Sequence, residues 1–483
     1  MNNQIEIQKN SRRNQFIIWF VLLQPLVDIL TSLGIIYFKM SVTVGVVARS
    51  LFLCLIMWDL IITPHWKKRK AAVFYVVILA LYCISFLGLI IITPDNGTIF
   101  TNIKQLFKIV YFPLTLVYFY QMYKEGRIII RKELLSKVLF IYMFIIFLGF
   151  ISGTGFSAYS TRVSGNKGWF FAGNDLTAIL SLLIPLGFHV TVTQFIDSRS
   201  LTKRLFILFY FFLIVFSTTH IGTKAIYFST LVFFFIYGVY HGIKFLSQKK
   251  VFQIGVSTTS LILVALMLVS MKFTPIGESF NVLQFKFEQS TEETPPVVVE
   301  DPIEEVIDKD DFTDAENEEM EEVTESSTYR VANWLLSNRL DKALPVHIHY
   351  MDQSAAAKML GIGYFRETGK IDLSTQIEID FLALFYRHGF LGMLIILLPM
   401  GYIILNELTR AFKHWRKVIG SPEILVLLLS VMYMLAFALI TGHVLVSPAV
   451  SIFVSMIIVS WVESQDRSFH SKSSELNYSA YRR

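Results

Sequence analysis

Apolar runs recur along almost the whole of this chain, each close to the roughly 20 residues that an α-helix needs to cross a bilayer. A backbone in hydrocarbon finds no water, so each run must satisfy its own N–H and C=O groups as a helix. Twelve spans are expected, near 16–38, 42–62, 71–93, 101–121, 136–153, 174–195, 205–219, 225–241, 251–271, 379–405, 423–440 and 445–462. Only a polar hairpin, Ser217 to Lys224, separates the seventh from the eighth. Charged residues make up 17% of the 483 positions, against about a quarter in a soluble domain, so a water-soluble globule is excluded. The fold class that follows is an all-α polytopic membrane protein of about twelve transmembrane helices, with one long extracellular loop.

Lysine and arginine decide which way the bundle faces. The first run follows Lys9, Arg12 and Arg13. It is too long for a signal-peptide core and lacks a small-residue cleavage site, so it reads as an uncleaved anchor. Alternate loops then carry HWKKRK at 65–70, Lys124 to Lys137, Arg199 to Arg204, Lys244 to Lys250 and Arg410 to Lys417. The opposite short loops hold only Lys39, Arg162, Lys167 and Lys224. By the positive-inside rule both termini lie in the cytoplasm of a multi-pass cell (plasma) membrane protein. The net charge of +6 is spread over these loops, so no nucleic-acid partner is expected. Cys54 and Cys83 lie within apolar runs, which argues against a disulfide framework or a cysteine metal site. Neither a metal nor a cofactor is expected.

The chain divides into an N-terminal bundle of about nine helices (1–271), a large extracellular loop (272–376), about three further helices (377–462) and a cytoplasmic tail (463–483). Within the loop, 288–325 is acidic and low in complexity, too poor in apolar surface to order itself. The stretch 329–344 has apolar residues at helical spacing and reads as an amphipathic helix at the outer surface. Gly361-Ile362-Gly363 then turns the chain back towards the membrane; no strand and helix flank it as a dinucleotide fingerprint requires.

The informative cations are those that insertion should have removed. Arg49 lies about 10 Å below the outer surface of the second span, at 1.5 Å per helical residue. Lys104 and Lys108, four apart, share one face of the fourth. Arg162 and Lys224 fall in outer loops, and Arg330 and Arg339 on the amphipathic helix. Such a cluster at the headgroup level suits a diphosphate, which Arg grips through a fork and Lys as a point charge. Individually, these cations can also snorkel to lipid headgroups or pair with Asp28 or Asp175. An internal pair between Asp28 and Arg49 is the expected role of that acid.

A transfer reaction that releases a diphosphate needs a base at the acceptor and stabilisation of the leaving group. Glu378 and Asp380 stand at a helix mouth, where partial dehydration should raise a carboxyl pKa. Two residues apart, they do not share a helical face. Glu378 is the base candidate and Asp380 a structural partner for a cation. Against a catalytic Glu378 stands the macrodipole, which favours any carboxylate at a helix start. His220, in the short outer hairpin, is a possible substrate contact, whereas His388 reads as a hydrogen-bonded interior residue. His347 and His349, at strand spacing, have no third ligand for a metal.

Three stretches in order, RVSGNKGWFFAGNDLTAILSLLIPL (162–186), TTHIGTKAIYFSTLVFF (218–234) and GIGYF followed by EIDFLALFYRHGFLG (378–392), resemble the O-antigen ligase and O-antigen polymerase superfamily. QPLVDILTS in the first span looks like its Gram-positive branch. The resemblance covers nearly all of the chain except the acidic insert. It implies a glycosyltransferase class C-like architecture and transfer of sugar chains from an undecaprenyl-diphosphate carrier to an acceptor glycan on the outer face, in cell-surface polysaccharide biosynthesis. Its partners would be that lipid-linked donor, the acceptor glycan and membrane lipids. Arg162 and Lys224 fall where the family keeps outer cations, with Lys224 in place of the commoner Arg. Where ligases carry a His-Asn pair before the last long helix, this chain has Glu378-Ile379, which points to a polymerase-like or Gram-positive relative. The alternative is a transporter or flippase of the same lipid-linked glycan, which should show repeat symmetry and interrupted helices.

Overall fold

The computed structural model describes residues 13–40, 42–61, 69–93, 99–158, 165–278, 280, 326–336, 339–364 and 377–469. The acidic insert, Arg162 and the end of the expected tail lie outside the described residues. The described chain is helical. Its membrane helices are α1 (Arg13–Leu22), α2 (Gln24–Phe38), α3 (Val44–Ile61), α4 (Lys70–Ile92), α5 (Ile99–Lys124), α6 (Lys132–Ile151), α7 (Gly173–Asp197), α8 (Leu201–His220), α9 (Lys224–Gln248) and α10 (Val251–Ser270). After the long connection come α11 (Ser327–Leu335), α12 (Arg339–Met351), α13 (Ala355–Leu360), α14 (Asp380–Lys413), α15 (Trp415–Gly420), α16 (Pro422–Ile440) and α17 (Pro448–Phe469).

Ten of these are long and apolar enough to cross a membrane, and the pair α1–α2, bent by 49°, makes eleven. The bend falls where Pro25 opens α2, because proline has no N–H to continue α1. The twelfth expected span, α5, is long enough but not apolar enough to be counted with them. Its 26 residues reach about 39 Å at 1.5 Å each, but Asn102, Lys104, Gln105 and Lys108 lower its hydropathy. Such a helix is stable only if its polar face is turned from lipid, and α5 packs against α17, α4 and α14. α17 is the axis of the bundle: every residue from Ala449 to Gln465 is buried. Serines at 451, 455, 460 and 464 give it the small side chains that let neighbouring helices approach closely. α17 also continues to Phe469, so the boundary expected at 462 is not a helix end.

Two further expectations are corrected. The single amphipathic helix near 329–344 is two, α11 and α12, which Asp341 ties together by accepting from Tyr329 Oη (2.9 Å) and Asn333 Nδ2 (2.7 Å). The span expected from 379 is interrupted at Gly389, whose φ of 69° and ψ of 175° only glycine adopts readily. The break frees the carbonyls of Tyr386 and Arg387, which accept from the N–H groups of Ile362 (3.2 Å) and Gly363 (3.1 Å). The Gly361–Gly363 turn therefore lies directly on the break, and a Cβ at Gly389 would come within 2.5 Å of the Met359 carbonyl.

At the C-terminal ends of α3, α5 and α14 the cations are matched by acids: Arg13–Asp59 (3.0 Å), Arg69–Glu125 (2.6 Å), Arg410–Asp466 (2.5 Å) and Lys132–Glu423. The opposite end of the bundle is different.

Candidate functional site

The N-terminal ends of α3, α5, α7 and α17 converge with the first turns of α14 around a cavity of ≈ 880 Å³. A helix start presents unsatisfied N–H groups and a partial positive charge, so this convergence alone favours an anion. Among the described lining residues four are cationic (Arg49, Lys104, Lys108 and Arg387), and Asp175 is the one carboxylate. An adjoining pocket of ≈ 230 Å³ shares Arg49, Lys108 and Asp175 and reaches down to Asp28.

Each cation is placed by its own helix. Lys104 and Lys108 stand one turn apart on α5 and both reach the cavity. No carboxylate lies within 4 Å of Lys108 among the described residues. Arg49 is 7% exposed and already partly neutralised: it donates to Asp28 Oδ1 (2.5 Å) and twice to Gln24 Oε1, and Tyr142 donates to the other Asp28 oxygen (2.6 Å). The expected Asp28–Arg49 pair is thus present. Arg387, 2% exposed, donates to the Gly363 carbonyl (3.1 Å) and lies over the Tyr364 ring, 5.4 Å from its centroid. Asn102 fixes Tyr364 by pairing with its backbone, accepting from N–H at 2.8 Å and donating to C=O at 3.3 Å.

The acids are arranged differently from expectation. Glu378 is not a lining residue; its oxygens accept from Arg339 (2.7 Å) and Lys342 (2.9 Å). Burial pushes its carboxyl up, but Lys342 and Arg339 outweigh burial and hold it below its ordinary range, the reverse of the expected rise. Among the described residues Asp380 has no cation partner. Wholly buried, it accepts from the backbone N–H groups of His443 (2.7 Å), Val444 (2.9 Å) and Leu445 (2.7 Å). Three such donors fulfil the role assigned to a cation.

That anchor shapes the α16–α17 connection. Gly442 and His443 both have positive φ, 68° and 61°, and a Cβ on Gly442 would overlap the Glu378 carbonyl. Left-handed backbone is costly for a residue with a side chain and persists here under the hold of Asp380. The imidazole of His443 lines the cavity, with Nδ1 3.3 Å from Asp175 Oδ1. Ser447 donates to the other Asp175 oxygen (2.8 Å). Burial lowers an imidazole pKa, but the bond and charge of Asp175, then the charges of Asp380 and Glu378, raise that of His443 above its ordinary range.

Of the residues singled out in the sequence, the cavity gathers Arg49, Lys104 and Lys108. Arg339 meets Glu378 at the base of α12, and Arg330 is exposed on α11. Lys224 opens α9 and His220 closes α8, stacked on Phe216 at 4.0 Å; neither lines the cavity. His388 is buried between Tyr82 Oη (3.0 Å) and Tyr364 Oη (3.2 Å). His347 and His349 lie on helix α12, not a strand, and bond Tyr386 (3.1 Å) and Gln353 (2.9 Å) respectively. Arg387 and His443 are cavity residues that the sequence did not mark, and Asp175 was marked only as a partner for a cation. The one available signal was polarity confined to short motifs, YRHG and TGH, at breaks between apolar runs.

No curated protein matches the chain. A family model, described as O-antigen ligase like membrane protein, matches residues 10–462. The chain therefore belongs to the O-antigen ligase like membrane protein family, whose activity is, in general terms, glycosyl transfer in the ligation or polymerisation of cell-surface glycans.

Proposed function

We propose that the protein transfers sugar chains from a polyprenyl-diphosphate carrier, undecaprenyl diphosphate in bacteria, to an acceptor glycan at the outer face of the membrane. The observation that carries this reading is the cavity's charge. Arg49, Lys104, Lys108 and Arg387 face one carboxylate, and four helix starts point at the same space. Lys108, partly buried and with no carboxylate within 4 Å among the described residues, is held at lower cost when an anion completes the site. A diphosphate is the leaving group that such a site stabilises as charge develops on it. Sidedness supports the same reading, since the acid-matched end of the bundle carries the loops rich in Lys and Arg and so faces the cytoplasm. The cavity end then faces outward, where α11 and α12 would cover it.

In this reading Glu378 is a positioning group, not the base. Its contact with Arg339 and Lys342 fastens α12 to the start of α14. One observation favours the transporter reading: α14 is interrupted beside Arg387, as transporter helices are at their substrate sites. Arg387→Gln separates the two. In cells relying on this variant, a transferase loses long surface glycan while lipid-linked single repeats collect on the outer leaflet. Repeats collecting on the inner leaflet would contradict transfer and establish transport.

A further inference from the structure

We propose that His443, held in position by Asp175, is the base that takes the proton from the acceptor hydroxyl. This rests on the transfer reading and names the group which that reading leaves open. Three features of the geometry point to it. The imidazole lines the same cavity as Lys104, Lys108 and Arg387. Its Nδ1 faces Asp175 Oδ1 at 3.3 Å, so in the tautomer that donates there the acceptor nitrogen is Nε2. Its backbone is held left-handed by three N–H bonds to Asp380, spanning His443 to Leu445. A strained residue kept beside a charged cavity by a wholly buried acid is an arrangement that packing alone does not require.

The step balances simply. The acceptor oxygen bonds to the anomeric carbon as the bond from that carbon to the diphosphate oxygen breaks, its electron pair leaving with the phosphate. The hydroxyl proton passes to His443 Nε2 and from there to water. Asp175 stabilises the imidazolium that results, and Ser447 keeps the carboxylate oriented by donating to its second oxygen. The charged groups that face His443 are Asp175 on α7, Asp380 on α14 and Glu378 before it, with Arg49, Lys104, Lys108 and Arg387 around the cavity. The acids hold its proton more tightly; a bound diphosphate adds to them, and the cations oppose them. His443 accepts a proton only when neutral, so turnover rises with external pH through its raised pKa. Removing the Asp175 charge moves that limb to lower pH.

His443→Gly is the decisive variant, because glycine is at home at φ 61° and the substitution leaves an imidazole-sized space without backbone strain. The purified variant is tested for binding of undecaprenyl diphosphate, and cells relying on it for surface-glycan chain growth by pulse-labelled sugar. The expected result is donor binding within about threefold of wild type, chain growth lowered on the order of 10²–10⁴-fold, and partial recovery with added imidazole. Asp175→Asn should retain more activity and show its acidic limb at lower pH. Growth in His443→Gly close to wild type overturns the assignment, as does loss that imidazole does not relieve, or loss accompanied by loss of donor binding. If the wild-type protein binds no undecaprenyl diphosphate, the transfer reading itself falls; if it binds and His443→Gly grows chains normally, only the base does.

Discussion

Replacing Lys108 by methionine tests the charge argument with little risk to the fold. The side chain is half-buried, lines the cavity and has no carboxylate within 4 Å among the described residues, so its removal orphans no acid. It also stands one turn from Lys104, and losing it relieves that repulsion. A cation and a phosphate oxygen about 4 Å apart attract by about 4 kcal/mol at an effective dielectric of 20. Desolvation of the ammonium offsets part of this, and a charged hydrogen bond nets about 1.5–3 kcal/mol. At about 1.4 kcal/mol per decade, undecaprenyl diphosphate should bind roughly 10- to 150-fold more weakly to Lys108→Met. Tm in detergent should be unchanged or slightly higher. Binding is measured by titration into protein in nanodiscs at two salt concentrations, and the wild-type salt dependence should be the steeper of the two. A Kd within threefold of wild type, with the same salt dependence, refutes the idea that this cavity holds the headgroup.

Other perturbations separate positioning from chemistry. Glu378→Gln leaves Arg339 and Lys342 without their acid; chain growth should fall several-fold without vanishing, and protease should cut near α12 more readily. The Glu378 carboxyl is held below its ordinary range, so its stabilisation is complete above the unfolded carboxyl pKa near 4.3 and is lost as pH falls through the lower folded value. Protection of α12 in wild type should fade in that acidic window and not between pH 6 and 8. Gly389→Ala places a Cβ against Met359 and Gly361 in a backbone region costing about 1–3 kcal/mol; Tm should drop by several degrees, with loss of donor binding through displaced Arg387. Deleting residues 292 to 325 should leave chain growth largely intact, and a folded, inactive deletion would assign the acidic insert a role in transfer.

Much of the bundle was legible because its cause is local. Each apolar run must form a helix wherever it sits. The α5 helix was legible as a helix, but its polar first turns keep it from being apolar enough to count among the candidate spans, so the expected twelve are ten or eleven. What could not be read were contacts between distant segments. Asp380 looked like a cation's partner, yet its donors are backbone N–H groups some 63 to 65 residues away, which no side-chain pattern reveals. Arg387 was hidden because a continuous span from 379 would bury it. Its partner is the Gly363 carbonyl, 24 residues earlier in the chain, which no local pattern reveals. The expected rise in the Glu378 pKa failed for a related reason: dehydration was foreseen, but not the two cations that α12 brings to it.

The most direct measurement is a structure of the protein in a lipid nanodisc with undecaprenyl diphosphate bound. Both phosphates should lie among Lys104, Lys108 and Arg387, close to the starts of α5, α7 and α17, with the lipid chain leading out to the bilayer. Phosphate density elsewhere, such as against Lys224 and Lys167 with the cavity empty of ligand, would contradict the account.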